Sequence, residues 1–515
     1  MPGQAAKASF GERSGRVGSG LDGMVSRRWV LAGLLAGAAA PALAEAPAST
    51  PRPVPRPGSP GARARLRASA PDPARLIAEA RLGGAVGYQV SDRATGEVLE
   101  ALLPEAPLPP ASTTKAITTL YALEGLGAGF RFSTRLAATG PISGGVIQGD
   151  LVLVGSGDPT LGTDQLAQMA ARLRQAGVTG VRGDFLVDAG SLPYLNAIDP
   201  SQPDHVGYNP AIAGLNLNFN RVHFEWRRSA KGWDVAMDAR SDLYVPPVRM
   251  ARMTVVNRDL PVYTFAEEGG IDSWTVASTA LGKGGSRWLP VRQPGAYAGD
   301  VFRTLARAQG VDLPEPKPAR GTTGGTTLVV LESEPLSPIL ADMLKFSTNL
   351  TAEVVGLTTS GTAAQSLAAS GARMGDWARA KYGRAGHFVD HSGLGADSRV
   401  APADMVAAMI GARGGPLRGL MKPFPIRDAN GKEVRNHPIR VSAKTGTLNF
   451  ASGLVGYVET PGGRELAFAI YAADVPRRDA LAPGDREQPP GGSAWARRAR
   501  MLQSQLIERW SLAYG

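Results

Sequence analysis

The 515-residue chain contains no cysteine. That absence removes disulfides, a thiolate nucleophile and cysteine-bound zinc together. Histidine is scarce, five residues in all. No Gly-x-Ser-x-Gly elbow and no His-Glu-x-x-His helix occurs, so a Ser-His-Asp hydrolase and a histidine-held zinc peptidase both lack their parts. His387 and His391 flank Asp390 and are read as structural or surface residues rather than metal ligands; neither a metal nor a cofactor is expected. A phosphate loop of the Gly-x-x-x-x-Gly-Lys-Ser/Thr type is also missing. Aromatic residues make up only 6%. The formal charge of +11 is uneven, with +7 before residue 76 and +4 over all the rest. A nearly balanced body without interleaved basic and aromatic residues excludes nucleic acid as the partner.

What is present is an apolar content of 43%, enough for packed cores, on a chain too long for one ordinary domain. Ser26-Arg27-Arg28-Trp29-Val30-Leu31 opens an apolar run through Leu43, and Ala42-Leu43-Ala44 supplies small residues before Glu45. This layout predicts an export signal with its leader over 1–44, of twin-arginine-like or general secretory type, with Met1 and Met24 both open as the start. The run is shorter than the ~20 apolar residues of a spanning helix and is broken by Pro41, so no transmembrane anchor is expected after cleavage. Residues 45–73, rich in Pro, Ala and Arg, read as an extended tether. The expected location is periplasmic or otherwise extracytoplasmic.

Folding is expected to begin near Ala74. A short helix, two strands (Ala85 to Val90, Glu97 to Leu99) and a helix after Pro109-Pro110 with helically spaced Ile117, Leu120, Tyr121 and Leu123 suggest a helix on an antiparallel sheet over 74–129. Residues 130–290 alternate in short strands, including Asn216 to Asn220, with one helix at Asp164 to Gln175, and read as a mostly β insertion. Over 291–515 helices return, at Tyr297 to Gln309 and after Ser337-Pro338 as N-cap and first helical residue. Three strands (Ile439 to Gly446, Gly453 to Glu459, Glu465 to Ala472) and a closing helix follow. The fold class is therefore α+β, one domain split by an insertion.

Lysine is the rarer base, 10 of 56 Lys and Arg, and Lys115 alone has a serine three positions before it. Ser112 and Lys115 share one helix face. A serine hydroxyl is a weak nucleophile until a base takes its proton, and an amine serves once burial or a neighbouring cation lowers its pKa; arginine stays protonated. Lys444-Thr445-Gly446-Thr447 ends a predicted strand with a cation, a hydroxyl and a residue without a side chain, an edge that a substrate backbone and carboxylate can approach. Ser347-Thr348-Asn349 stands where one helix ends and another begins. Alone, each motif also fits an ordinary helix, turn or cap.

In the order Ser-x-x-Lys, Ser-x-Asn, Lys-Thr-Gly, the set resembles the penicillin-recognising serine acyltransferases. The long gap from Ser112 to Ser347 resembles the penicillin-binding protein 4, or DacB-type, D-alanyl-D-alanine carboxypeptidase/endopeptidases. Gly149-Asp150-Leu151 to Leu161, Leu217 to Asn220, Ala352-Glu353 and Ser392-Gly393-Leu394 fit that family, whereas Thr348 and His391 depart from its usual Asp and Gly. The resemblance covers about Ala74 to Trp510 and implies a transpeptidase/β-lactamase-like domain acting on peptidoglycan stem peptides, with β-lactams as covalent inhibitors. It implies Ser112 as nucleophile, Lys115 as base, and Ser347 with Lys444 as proton relay. It further implies Asn349, Thr445, Gly446 and Thr447 as the substrate-binding edge, and leaves Glu353 a helix-surface or packing residue. A serine β-lactamase or related esterase, and a non-catalytic cell-wall-binding scaffold, are the alternatives; oligomeric state stays open.

Overall fold

The computed structural model describes residues 67–515 apart from 320–323 and 429. The expected export signal and most of the expected tether lie outside the described residues. Among the described residues no helix is long and apolar enough to cross a membrane.

A six-stranded antiparallel sheet draws on both ends of the described chain, in the order Lys422–Pro423, Arg440–Leu448, Ala451–Glu459, Glu465–Ala473, Ala85–Asp92, Val98–Leu102. Tyr88 pairs with Ile470 at the seam between early and late sequence. Side chains alternate between faces along a strand, and Glu465–Ala473 shows the result. Leu466, Phe468 and Ile470 join a core with Trp495, Leu506 and Trp510 of the closing helix Gly492–Tyr514. Ala467, Ala469 and Tyr471 join another with Ile117, Met405 and Met409. Large residues meet the long helix on one face. Alanines on the other let the helix Pro402–Gly411 approach closely.

The insertion is built on a five-stranded mixed sheet in the order Pro316–Pro318, Phe185–Asp188, Leu151–Gly155, Ser133–Ala138, Thr326–Glu332, accompanied by three three-stranded sheets. Its outgoing and returning strands lie antiparallel, Thr134 opposite Leu331. The chain therefore leaves and rejoins the first domain at neighbouring points, a geometry that accommodates a large insertion. On this pairing we propose that the insertion runs past the expected boundary at 290. The helix Pro294–Ala308 packs Tyr297, Val301 and Phe302 beside Leu153 and Phe185 of the insertion, and the split domain resumes near the helix Leu336–Phe346. Helical spacing reveals that a helix forms but not which sheet it covers.

Two local expectations also change. Where a strand is expected over Asn216 to Asn220, Leu217–Asn220 is a tight 3-10 segment, with Asn218 and Phe219 in left-handed conformation at φ 50° and 58°. Asparagine tolerates this region, and these asparagines satisfy nearby backbone: Asn216 Nδ2 and Asn220 Nδ2 donate to Ala213 O and Ala211 O, both at 2.8 Å. Ser337 is not an N-cap, because the helix begins at Leu336 behind Pro335.

Candidate active site

Ser112 lies in a 3-10 turn, Ala111–Thr113, that runs directly into the helix Thr114–Gly125. The turn is pinned to the sheet. Thr113 Oγ1 donates to Pro110 O at 2.7 Å and meets Tyr471 Oη at 3.1 Å. Gly446 lies against the same turn: a Cβ there would stand 2.8 Å from Pro110 O and 3.0 Å from Ser112 N. Only glycine lets the strand edge come this close to the serine.

Lys115 is fully buried beneath Ser112. Its Nζ lies 3.1 Å from Ser112 Oγ, 2.8 Å from Asn349 Oδ1 and 2.8 Å from Ser392 O. Asn349 Nδ2 donates to Tyr208 O at 3.0 Å, which turns its Oδ1 toward the lysine. A neutral amine has two N–H groups and one lone pair. With Asn349 Oδ1 and Ser392 O taking the two hydrogens, the lone pair is left for the Ser112 hydroxyl. Burial pushes the Lys115 amine down to about 8, opposed by the Glu353 and Asp390 carboxyls.

Ser347 closes the helix Leu336–Phe346 in left-handed conformation, φ 61° and ψ 37°. A serine held there costs on the order of 1 kcal/mol, strain of the kind that clusters at functional sites. Its Oγ accepts from Lys444 Nζ at 2.9 Å, and the same amine donates to Thr445 O at 2.6 Å. Burial, with Lys115 and Lys422 adding to it, holds Lys444 well below the usual lysine range.

Ser112, Ser347, Asn349 and Thr447 line one cleft of about 980 Å³. Thr447 is exposed in it, while Thr445 is half-buried and is not among the lining residues. The insertion contributes Gln202 and Tyr208 to the wall, and the segment after the last strand contributes Arg486 and Glu487. That segment is tied to the insertion by Glu487, 2.7 Å from both His205 and Arg287.

Sequence reasoning missed three contributors. Glu353 is neither on a helix surface nor merely packed: it is fully buried and accepts the N–H groups of His391 and Ser392. The carbonyls of Ser392 and Tyr208 act through the backbone and leave no mark in residue type. His391 is buried, 2.6 Å from Ser370 Oγ, and burial pushes its imidazole down to about 3. Among the described residues no group of three or more His, Asp or Glu is placed to hold a metal.

The model of the D-Ala-D-Ala carboxypeptidase 3 (S13) family matches residues 72–489. A D-alanyl-D-alanine carboxypeptidase of Actinomadura sp. (strain R39) is 30% identical over 79% of this chain and 81% of its own. DacB of Haemophilus influenzae, a D-alanyl-D-alanine carboxypeptidase, is 24% identical over 70% of this chain and 79% of its own. The crystal structure of penicillin binding protein 4 from Haemophilus influenzae superposes with TM-score 0.67 at 20% identity, over 85% of this chain and 99% of that one. The same protein complexed with a β-lactam gives 0.66. The fold is thus shared, and the chain belongs to the D-Ala-D-Ala carboxypeptidase 3 (S13) family of serine peptidases.

Proposed function

We propose that the protein removes the terminal D-alanine of peptidoglycan stem peptides outside the cytoplasm, through a Ser112 acyl-enzyme. The observation that carries this reading is the arrangement of Lys115, buried, with two hydrogen-bond acceptors and the Ser112 hydroxyl at 3.1 Å as its three partners. Neutral Lys115 takes the Ser112 proton as Oγ attacks the penultimate D-alanine carbonyl. The N–H groups of Ser112 and Thr447 receive the developing oxyanion, a contribution that is usually large. The C–N bond then breaks, and the leaving amine takes a proton through Ser347, helped by Lys444. Water hydrolyses the ester and restores Ser112. Thr445 and Thr447 engage the terminal carboxylate beside Gly446, and Asn349 holds the peptide amide. The same cleft accepts penicillins, whose strained amide acylates Ser112. It also takes cross-linked stem peptides, giving endopeptidase action.

Incubation with a D-Ala-D-Ala pentapeptide is expected to release D-alanine, and a fluorescent penicillin is expected to label wild type but not Ser112→Ala. Rapid penicillin turnover without D-alanine release would establish a β-lactamase instead. Failure of the penicillin to acylate at all would leave a scaffold. Intact mass before and after export tests cleavage at Ala44.

A further inference from the structure

Glu353 stands one turn after Asn349 on the helix Asn349–Ser360, on the same face. Its Oε2 accepts the His391 N–H at 2.9 Å and its Oε1 the Ser392 N–H at 2.8 Å. Ser392 thus gives its N–H to Glu353 and its carbonyl oxygen to Lys115. A second buried carboxylate completes the clamp: Asp390 Oδ1 accepts the Gly393 N–H at 2.8 Å, in the same peptide unit as that carbonyl, and Oδ2 accepts the Gly395 N–H at 2.6 Å. Each Glu353 oxygen faces a donor, the arrangement of the ionised form, although burial and Asp390 push its carboxyl upward.

We propose that Glu353 is a positioning residue for acylation: by holding the His391 and Ser392 N–H groups it aims the Ser392 carbonyl at one Lys115 hydrogen, which leaves the amine's lone pair directed at Ser112. This rests on Ser112 and Lys115 being the acylating pair. A carboxylate in this place also acts on the proton affinity of Lys115. The charged groups facing Lys115 are Glu353 on the helix Asn349–Ser360, Asp390 on the loop after the helix Leu367–Tyr382 and Lys444 on the strand Arg440–Leu448. The two carboxylates favour the ammonium form, and Lys444 opposes it only when protonated. Removing Glu353's charge therefore lets Lys115 become neutral at lower pH.

The test is the pH profile of acylation of the whole protein by a fluorescent penicillin. Glu353→Gln keeps the shape but sets an amide NH₂ against one of the two N–H groups. Its plateau rate is expected to fall about tenfold or more and its acid limb to move roughly one pH unit lower. Glu353→Asp keeps the charge but is too short to hold both N–H groups, so its limb should stay and its rate fall. A Glu353→Gln limb coinciding with that of wild type overturns the proposal, even where the rate or the melting temperature drops. Where Glu353→Gln fails to fold, a Glu353→Asp protein with an undiminished rate or a displaced limb does the same. Labelling that persists in Ser112→Ala refutes the acylating pair itself and is read separately.

Discussion

Lys115 and Lys444 are both buried under one cleft, yet their surroundings differ in sign. Lys115 faces two carboxylates, Glu353 and Asp390, which work against the lowering by burial. Lys444 faces cations, Lys115 and Lys422, which work with it. The first amine is therefore balanced near the pH at which it must gain and lose a proton, as a general base should be. The second is short of negative charge until something supplies it. A substrate carboxylate arriving at Thr445 and Thr447 would do so, raising the proton affinity of Lys444. In the proposed mechanism that ties the loading of the relay to the presence of a carboxylate-bearing substrate, while the base at Lys115 stays ready in the free enzyme.

The largest expected effect separates the two amines. Lys115→Arg retains the cation but cannot be deprotonated, so the acylation rate by penicillin should fall about 10⁴-fold, the upper end for loss of a general base. Lys444→Arg retains the charge that meets a carboxylate and should cost nearer 10²-fold. Equal losses in stopped-flow acylation would show that the two amines play interchangeable parts. The pH dependence gives the next test. Wild-type acylation should rise with pH through about 8, where Lys115 loses its proton. Because Lys444 is held well below the usual lysine range before a carboxylate arrives, Lys444→Met should leave the limb close to that of wild type, whereas Glu353→Gln moves it down. A smaller loss, about tenfold, is expected from Gly446→Ala. The added Cβ would press on Pro110 O and Ser112 N and displace the turn. Retained rates in Gly446→Ala would show that the strand edge and the turn can separate without cost.

The split domain was legible because its elements carry strong local signals. The run Glu465–Ala473 is apolar on both faces, and Pro109-Pro110 followed by spaced apolar residues marks the Ser112 helix. The pairs Lys115 with Ser112 and Lys444 with Ser347 were approachable from residue type, since a rare lysine near a serine has a definite chemistry. Which sheet the helix Pro294–Ala308 covers was not legible, because that choice is made by tertiary packing and not by its own periodicity. Asn216 to Asn220 alternates like a strand, but its side chains compete for the backbone and win. Glu353 looked like any glutamate on a helix. Its burial depends on a loop 38 positions later presenting two N–H groups, which no local pattern contains. The carbonyls of Ser392 and Tyr208 are invisible for a simpler reason, since every residue has one.

The smallest effect concerns how the two sides of the cleft fail in acid. The loop that serves Lys115 includes His391, whose ring is stacked on Tyr121 with centroids 6.3 Å apart and hydrogen-bonded to Ser370. A Cβ on Gly356 would run into that ring, so the helix backbone packs directly on it. Burial keeps the imidazole neutral down to about 3, whereas the unfolded chain binds a proton near 6.5. The folded-state value is depressed, so this stability is fully present above about 6.5 and is lost progressively as pH falls toward 3. The strand that carries Lys444 contains no histidine. Hydrogen exchange between pH 6.5 and 4 should therefore show protection falling first in residues 388–395 and later in 440–448. The wild-type melting temperature should decline over the same range, and His391→Asn should flatten that decline while lowering stability at neutral pH, because its smaller side chain leaves the ring's place unfilled. If both segments lose protection together, the loop has no acid sensitivity of its own, and the two lysines differ only in the charges beside them.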